Sequence, residues 1–176
     1  MAASNQRFNY TVARVLHWIA GAIIIFNLLS GWRLDSFPLE TKTVLVMVHS
    51  GVGTTIFVLM LFRWWWRRTH HLYSPPRWWT RPSMLLQWVF YPLVLMQVAI
   101  GVTNAAFIDY PVLGFGFIPY SSLADDSKSL SAFFLQFHAI MAWVLIVLVV
   151  AHGVERWRLI FVDDPEDIAV EKPANV

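Results

Sequence analysis

The chain has 176 residues, of which 57% are apolar and 14% are charged, and its mean hydropathy is +0.54. This composition excludes an ordinary soluble domain and predicts a membrane protein. The absence of cysteine excludes disulfides, thiolate-bound iron–sulfur clusters and covalently attached c-type haem, and a net charge of +2 is too small to indicate binding of nucleic acid.

Four apolar stretches are long enough to cross a bilayer, which takes about 20 residues of helix. They cover about residues 13–32, 43–65, 84–108 and 133–154. Turn residues such as Pro38 and Pro111 lie between them. The sequence therefore predicts an all-α fold, a four-helix transmembrane bundle within residues 1–162, followed by a polar, flexible tail at 163–176.

Positive residues are distributed unequally between the two sides of this predicted bundle. Ten of the 13 lie in the N-terminal segment, the second connection and the C-terminal segment, and the other side holds Arg33, Lys42 and Lys128. Because positive loops stay in the cytoplasm, both termini are predicted to be cytoplasmic. The outer loop at about 109–131 is apolar, so we expect it to fold back over the bundle, where Tyr120 either shields a site or packs.

Four of the six histidines lie within the apolar stretches, at His17, His49, His138 and His152. Ionisable groups are costly in a membrane and point to function. His138 and His152 lie 14 residues apart on nearly the same helix face, about 21 Å apart along the axis. Depth along each span pairs His17 with His152 at the inner level and His49 with His138 at the outer level. Such pairs are the ligand set of six-coordinate b-type haem, so two haems are predicted.

Other uses of these histidines remain open. An intramembrane histidine commonly packs through a hydrogen bond or relays protons. A metal transporter would also use histidines, but it needs carboxylates beside them and the spans contain almost none. Small residues near the four histidines leave room for a porphyrin or simply let helices approach closely. These residues are Gly21, Gly51, Gly53, Ala139 and Gly153.

These features resemble the bacterial cytochrome b561 family, whose members are di-haem membrane proteins of about this length. The likeness runs from about residue 10 to 157. It rests on the His17-Trp18 pair, the His49-Ser50-Gly51-Val52-Gly53 segment, the aromatic and glycine-rich loop 114–120 and the spacing of His138 and His152. The resemblance implies a multi-pass protein of the bacterial inner membrane, in contact with lipid.

Arginines near the cytoplasmic side are candidate partners for haem propionates, because guanidinium groups bind carboxylates in a bidentate manner. The candidates are Arg63, Arg67 and Arg156. They are equally candidates for positive-inside anchors. The family often carries an extra histidine about six residues beyond its last ligand, where this chain has Arg156 and Arg158. Any role of that histidine near a quinone is therefore in doubt for this chain.

The resemblance implies an oxidoreductase that passes electrons from extracytoplasmic superoxide to ubiquinone. Iron with two histidine ligands has no open position for O2, so it would transfer electrons without binding substrate. Arg33, Lys42 and Lys128 are candidate cations for steering the superoxide anion, and equally candidate interface anchors. Polar residues in or beside the spans could contact a quinone or form hydrogen bonds between helices. They are Asn27, Gln87, Gln97 and Asn104.

Two other functions are also compatible with the sequence. One is a cytochrome b subunit or anchor that passes electrons between a partner redox protein and the quinone pool. The other is a haem-free transporter or structural membrane protein, which a visible absorption spectrum would distinguish from both haem proteins. No catalytic residue follows from the sequence.

Overall fold

The computed structural model describes residues 2–32, 34–70, 72, 78–80 and 82–161. Its four long helices are α1 (Ala2–Ser30), α2 (Leu39–Thr69), α3 (Pro82–Ala106) and α4 (Lys128–Phe161). The predicted tail at 163–176 lies outside the described residues.

All four helices contain a segment long and apolar enough to cross a membrane. These segments are Asn5–Ser30, Leu39–Thr69, Met84–Ala106 and Lys128–Glu155. Large apolar side chains point outward along them, including Trp18, Val58 and Val147. An outer surface this apolar suits lipid rather than water. The predicted all-α architecture is therefore confirmed, with four helices that are candidates to span a membrane.

The helix ends differ from the predicted spans by several residues. α1 ends at Ser30 and α3 ends at Ala106, each two residues before the predicted limit. Beyond both ends the backbone forms tighter i→i+3 hydrogen bonds, from Trp32 N to Leu29 O and from Phe107 N to Asn104 O. α2 and α4 instead continue past the apolar region, because hydropathy marks the membrane and not the end of helical hydrogen bonding.

Helices that follow one another in the chain pack side by side, α1 on α2, α2 on α3 and α3 on α4. Contacts between Ser30 and His49, and between His17 and Arg63, show that α1 and α2 are antiparallel. The central core contains side chains from all four helices. It consists of Ala20, Ile56, Met60, Tyr91, Val94 and Leu145.

The segment between α3 and α4 forms a small hairpin of β1 (Leu113–Gly114) and β2 (Ile118–Pro119), in antiparallel register. Its turn uses positive φ at Phe115 (55°) and at Gly116 (79°). Such angles suit tight hairpin turns and are unusual for a residue with a side chain. A 3-10 turn at Tyr120–Ser122 follows the hairpin.

This hairpin packs deep against the bundle. A Cβ on Gly51 would lie 3.2 Å from the Phe115 backbone nitrogen, so the two chains touch. Gly51 lies 12 residues into α2, which is about 18 Å along the helix. Tyr120 packs with Ala105 and Val112 in a second core between α2 and α3. The outer loop therefore folds back onto the bundle, as the sequence predicts.

The hairpin defines one end of the bundle, which we call the loop end. The opposite end carries Arg63, Arg67 and Arg68 of α2, and we call it the arginine-rich end.

Candidate functional site

Two pairs of histidines face each other inside the bundle, one toward each end. At the arginine-rich end, the rings of His17 on α1 and His152 on α4 have centroids 6.0 Å apart and planes 81° apart. At the loop end, His49 on α2 and His138 on α4 have centroids 6.2 Å apart and planes 79° apart. The structure thus brings together the same two pairs of histidines that the sequence predicts from their depth along the spans.

These separations fit one metal ion between each pair of rings. A bond from a metal to an imidazole nitrogen is about 2 Å, and the ring centre lies about 1 Å farther, so two imidazoles that held one metal ion between them would have centres roughly 6 Å apart. Within the described residues no group of three or more His, Cys, Asp or Glu could hold a metal. A pair of histidines alone suits haem iron, since the porphyrin supplies the remaining ligands.

Ser30 sets the proton position on His49 at the loop end. The Ser30 hydroxyl donates to the Asn27 carbonyl (3.0 Å) and lies 3.2 Å from His49 Nδ1. Because its proton is used on Asn27, the hydroxyl accepts from an Nδ1–H of His49. This tautomer leaves the Nε2 lone pair available to a metal, and such partners orient histidine ligands in general.

Two glycines lie directly against the loop-end histidines. A Cβ at Gly31 would come within 2.8 Å of His49 Cε1, and a Cβ at Gly101 within 2.9 Å of His138 Cε1. Real side chains do not approach so closely without displacement of the ring. Each glycine therefore provides the space that an imidazole occupies.

The loop-end pair lines a cavity of about 860 Å³ that extends from the middle of the bundle to the loop end. This volume is within the range of pockets that hold cofactors and other small molecules. Charged residues of both signs lie around its mouth, Lys42 and Lys128 with Asp109 and Asp126. The two lysines among the candidate steering cations are thus accompanied by carboxylates, and Arg33 lies outside the described residues.

Three of the four polar candidates for quinone contact also line this cavity: Asn27, Gln97 and Asn104. The Gln97 amide donates to the His138 carbonyl (3.0 Å) and lies 3.2 Å from His138 Nε2. Asn104 accepts from Ser131 on α4 (3.2 Å). Gln87 lies at the other end, where Arg67 donates to its side-chain oxygen (3.4 Å).

The arginine-rich pair has a different setting. An Arg63 Nη2 lies 3.0 Å from His17 Nδ1, and the same guanidinium lies over the Tyr91 ring, 5.5 Å from its centre. The ring of Phe90 meets His152 edge-on at 5.8 Å. A charged guanidinium group and aromatic rings surround this pair, whereas a hydroxyl group and two glycines surround the loop-end pair.

Arg67 is buried one helical turn beyond Arg63, with only 4% of its surface exposed. Its guanidinium lies 4.7 Å from the centre of the Trp88 ring. A buried arginine differs from a solvated anchor at a membrane surface, so its place near the His17 pair is compatible with binding an anionic group there. The side chain of Arg156 lies outside the described residues.

The glycines selected from the sequence as neighbours of the histidines differ from the glycines that touch the histidine rings in the structure. Gly51 meets Phe115 of the hairpin, and Cβ atoms at Gly21 and Gly153 would meet no other atom within 4 Å. The glycines in contact with histidines, Gly31 and Gly101, do not follow from the sequence. Gly31 follows the last residue of α1 and Gly101 lies in an apolar run of α3, so only the packing of neighbouring helices reveals that these glycines touch histidines.

A family model described as prokaryotic cytochrome b561 matches residues 10–155 of this chain. The matched region includes both histidine pairs and the hairpin between α3 and α4. No curated protein matches the chain.

Proposed function

Because the chain belongs to the prokaryotic cytochrome b561 family, whose members are membrane b-type cytochromes that transfer electrons, we propose that it holds two b-type haems. His17 and His152 are the ligands of one, and His49 and His138 are the ligands of the other. The observation that carries this proposal is the presence of two imidazole pairs with ring centres 6.0 and 6.2 Å apart.

A haem held by two histidines would supply one-electron transfer. The residues around it provide the holding and orientation. Ser30 fixes the tautomer of His49 by accepting from Nδ1, and Gly31 and Gly101 leave space for the loop-end rings. Pairs at two levels give electrons a route from one membrane surface toward the other.

Arginines at the arginine-rich end are the proposed partners of haem propionates. Arg63 and Arg67 support this role because both guanidinium groups lie among residues of α3, inside the bundle end rather than in solvent. Arg156 completes the proposed set from the sequence. We propose that this end, with both termini, faces the cytoplasm, and the excess of positive residues at this end supports that orientation.

The proposed reaction oxidises superoxide outside the cytoplasm and reduces ubiquinone. Two superoxide anions each lose one electron and leave as O2, and one ubiquinone gains two electrons and two protons to become ubiquinol. The cavity supports this proposal because it reaches the loop end, where Lys42 and Lys128 lie at its mouth and join Arg33 as proposed steering cations. Asn27, Gln97, Asn104 and Gln87 are the proposed polar contacts of the quinone.

Rapid mixing tests this reaction. The oxidised holoprotein in detergent is mixed with superoxide while haem absorbance is followed, and ubiquinone is then added. We expect fast haem reduction, followed by reoxidation that depends on quinone. Haems that superoxide does not reduce would contradict the proposed donor.

Paired charge variants at the cavity mouth sharpen this experiment. Lys128→Gln removes a cation and Asp126→Asn removes an anion from the same mouth. Electrostatic steering predicts that the first slows reduction by superoxide and the second speeds it, and that added salt diminishes both effects. Equal rates in both variants would contradict a steering role.

An alternative function has its own support at the loop end. Phe115 and Phe117 of the hairpin are 47% and 74% exposed, and their rings stack 5.9 Å apart. Exposed aromatic side chains are typical of protein interfaces. This favours a cytochrome b subunit or anchor that exchanges electrons between a partner redox protein and the quinone pool. Haems inert to superoxide but reducible by quinol, together with a co-purifying redox protein, would support this function.

A further inference from the structure

The two histidine pairs differ in the charge that touches them. On the basis of the two haem sites proposed above, we propose that Arg63 raises the reduction potential of the iron bound by His17 and His152 above that of the iron bound by His49 and His138. Electrons then move from the loop end toward the arginine-rich end. Arg63 is a tuning residue, since its charge acts on the iron site from beside His17.

The contact at His17 is with a permanent cation. Arg63 Nη2 lies 3.0 Å from His17 Nδ1. A guanidinium group has only hydrogen-bond donors and stays charged at all ordinary pH values. In the described structure Arg63 therefore donates this hydrogen bond and His17 Nδ1 accepts it. A metal on the other nitrogen of His17 would leave Nδ1 protonated, so Arg63 would lose this hydrogen bond and would act on the iron site through its nearby charge. Arg63 would then not strengthen His17 as a ligand in the way that acceptors normally do.

The position of Arg63 keeps this charge near the iron site. Its guanidinium lies over the ring of Tyr91, a residue buried in the central core. Arg67 adds a second buried positive charge one turn away. Charges in such surroundings act more strongly than in water. Because ferric iron carries one more positive charge than ferrous iron, nearby cations favour the reduced form. A guanidinium group that paired with a haem propionate, as proposed above, would act in the same direction by offsetting the negative charge of the carboxylate.

The loop-end pair lacks such a bias in its contacts. The partners of these two histidines are neutral: the Ser30 hydroxyl and the Asn27 backbone at His49, and the Gln97 amide at His138. A neutral acceptor at His49 favours the ferric form. The lysines at the cavity mouth are accompanied there by Asp109 and Asp126. An electron that passes between the sites oxidises the loop-end iron from ferrous to ferric and reduces the other from ferric to ferrous. No bond forms or breaks in this transfer.

Redox titration of the full-length holoprotein, followed by visible absorption, tests the inference. Arg63→Gln should lower the higher of the two midpoint potentials by at least about 59 mV. That shift corresponds to a tenfold change in the equilibrium constant of a one-electron reduction. The lower midpoint should stay unchanged. Arg63→Lys keeps the charge and should restore most of the difference. Arg68→Gln is the matched control, because Arg68 is exposed on the same helix and should leave both midpoints unchanged.

A second titration keeps the inference testable if the Arg63 variants fold poorly. His49→Ala should retain the haem at the arginine-rich end alone, and its midpoint should be the higher of the two in the wild type. Retention of the lower midpoint would overturn the inference, as would an Arg63→Gln protein with two haems and unshifted potentials. A wild-type protein without two haems would instead contradict the proposed function.

Discussion

The two histidine pairs have almost the same internal geometry and very different surroundings. Their ring centres are 6.0 and 6.2 Å apart, and their planes meet at 81° and 79°. The loop-end pair lies against a hydroxyl and two glycines beside a large cavity, whereas the arginine-rich pair lies against a guanidinium group and aromatic rings. The packing of four helices sets where imidazoles meet, and the neighbouring side chains then decide how each pair behaves.

The largest effect should come from filling the space beside a loop-end ring. Gly101→Val would place side-chain atoms where a Cβ is already 2.9 Å from His138 Cε1, so the ring must move. We expect loss of the haem at the loop end and retention of the one at the arginine-rich end. Haem content per chain and the visible difference spectrum measure this outcome.

Ala99→Val is the matched control for that substitution. Ala99 lies on the exposed face of the same helix, so added bulk there meets no histidine. This variant should keep both haems. If Gly101→Val also kept both, the close contact between Gly101 and His138 would have no bearing on cofactor binding.

Ser30→Ala should give a smaller, graded effect at the same end. Loss of the acceptor that orients a metal-binding histidine typically weakens binding 10- to 100-fold. We expect faster loss of the loop-end haem to a haem-scavenging protein, with no change for the other haem. Ser30→Thr keeps the hydroxyl and should retain the wild-type rate. If the Ser30→Ala variant lost the loop-end haem at the wild-type rate, Ser30 would not be the residue that orients His49.

The smallest effect concerns the hairpin that covers the loop end. The Tyr120 hydroxyl and Thr54 Oγ1 are 2.7 Å apart. Tyr120→Phe removes this hydrogen bond and should lower the free energy of unfolding by about 0.5–1.5 kcal/mol. Thermal unfolding in detergent measures the change. The double variant with Thr54→Val should be less destabilised than the sum of the two single variants, and full additivity would argue against the bond.

Much of this architecture could be predicted because hydropathy and helix length are local properties. Apolar runs of sufficient length predict four helices, and depth along them predicts which histidines are neighbours. The helix limits were less predictable. Arg67 and Glu155 lie beyond the predicted spans yet remain helical, because arginine, tryptophan and glutamate are compatible with helical hydrogen bonding.

The contacts that distinguish the two pairs could not be predicted in the same way. Ser30 reaches His49, and Arg63 reaches His17, only in the particular register in which α1 packs on α2. A shift of one residue on a helix turns a side chain by about 100°, so these contacts depend on three-dimensional packing. Gly101 touches His138 for the same reason, through the packing of α3 on α4.

The most direct test of the account is the haem content of four single variants, His17→Ala, His152→Ala, His49→Ala and His138→Ala, each purified after expression with sufficient haem. We expect two haems in the wild type and one in each variant. The two variants within a pair should retain the same haem, with the same spectrum and midpoint potential, and the two pairs should differ. Variants of one pair that retain different haems, or a wild-type protein that binds none, would contradict it.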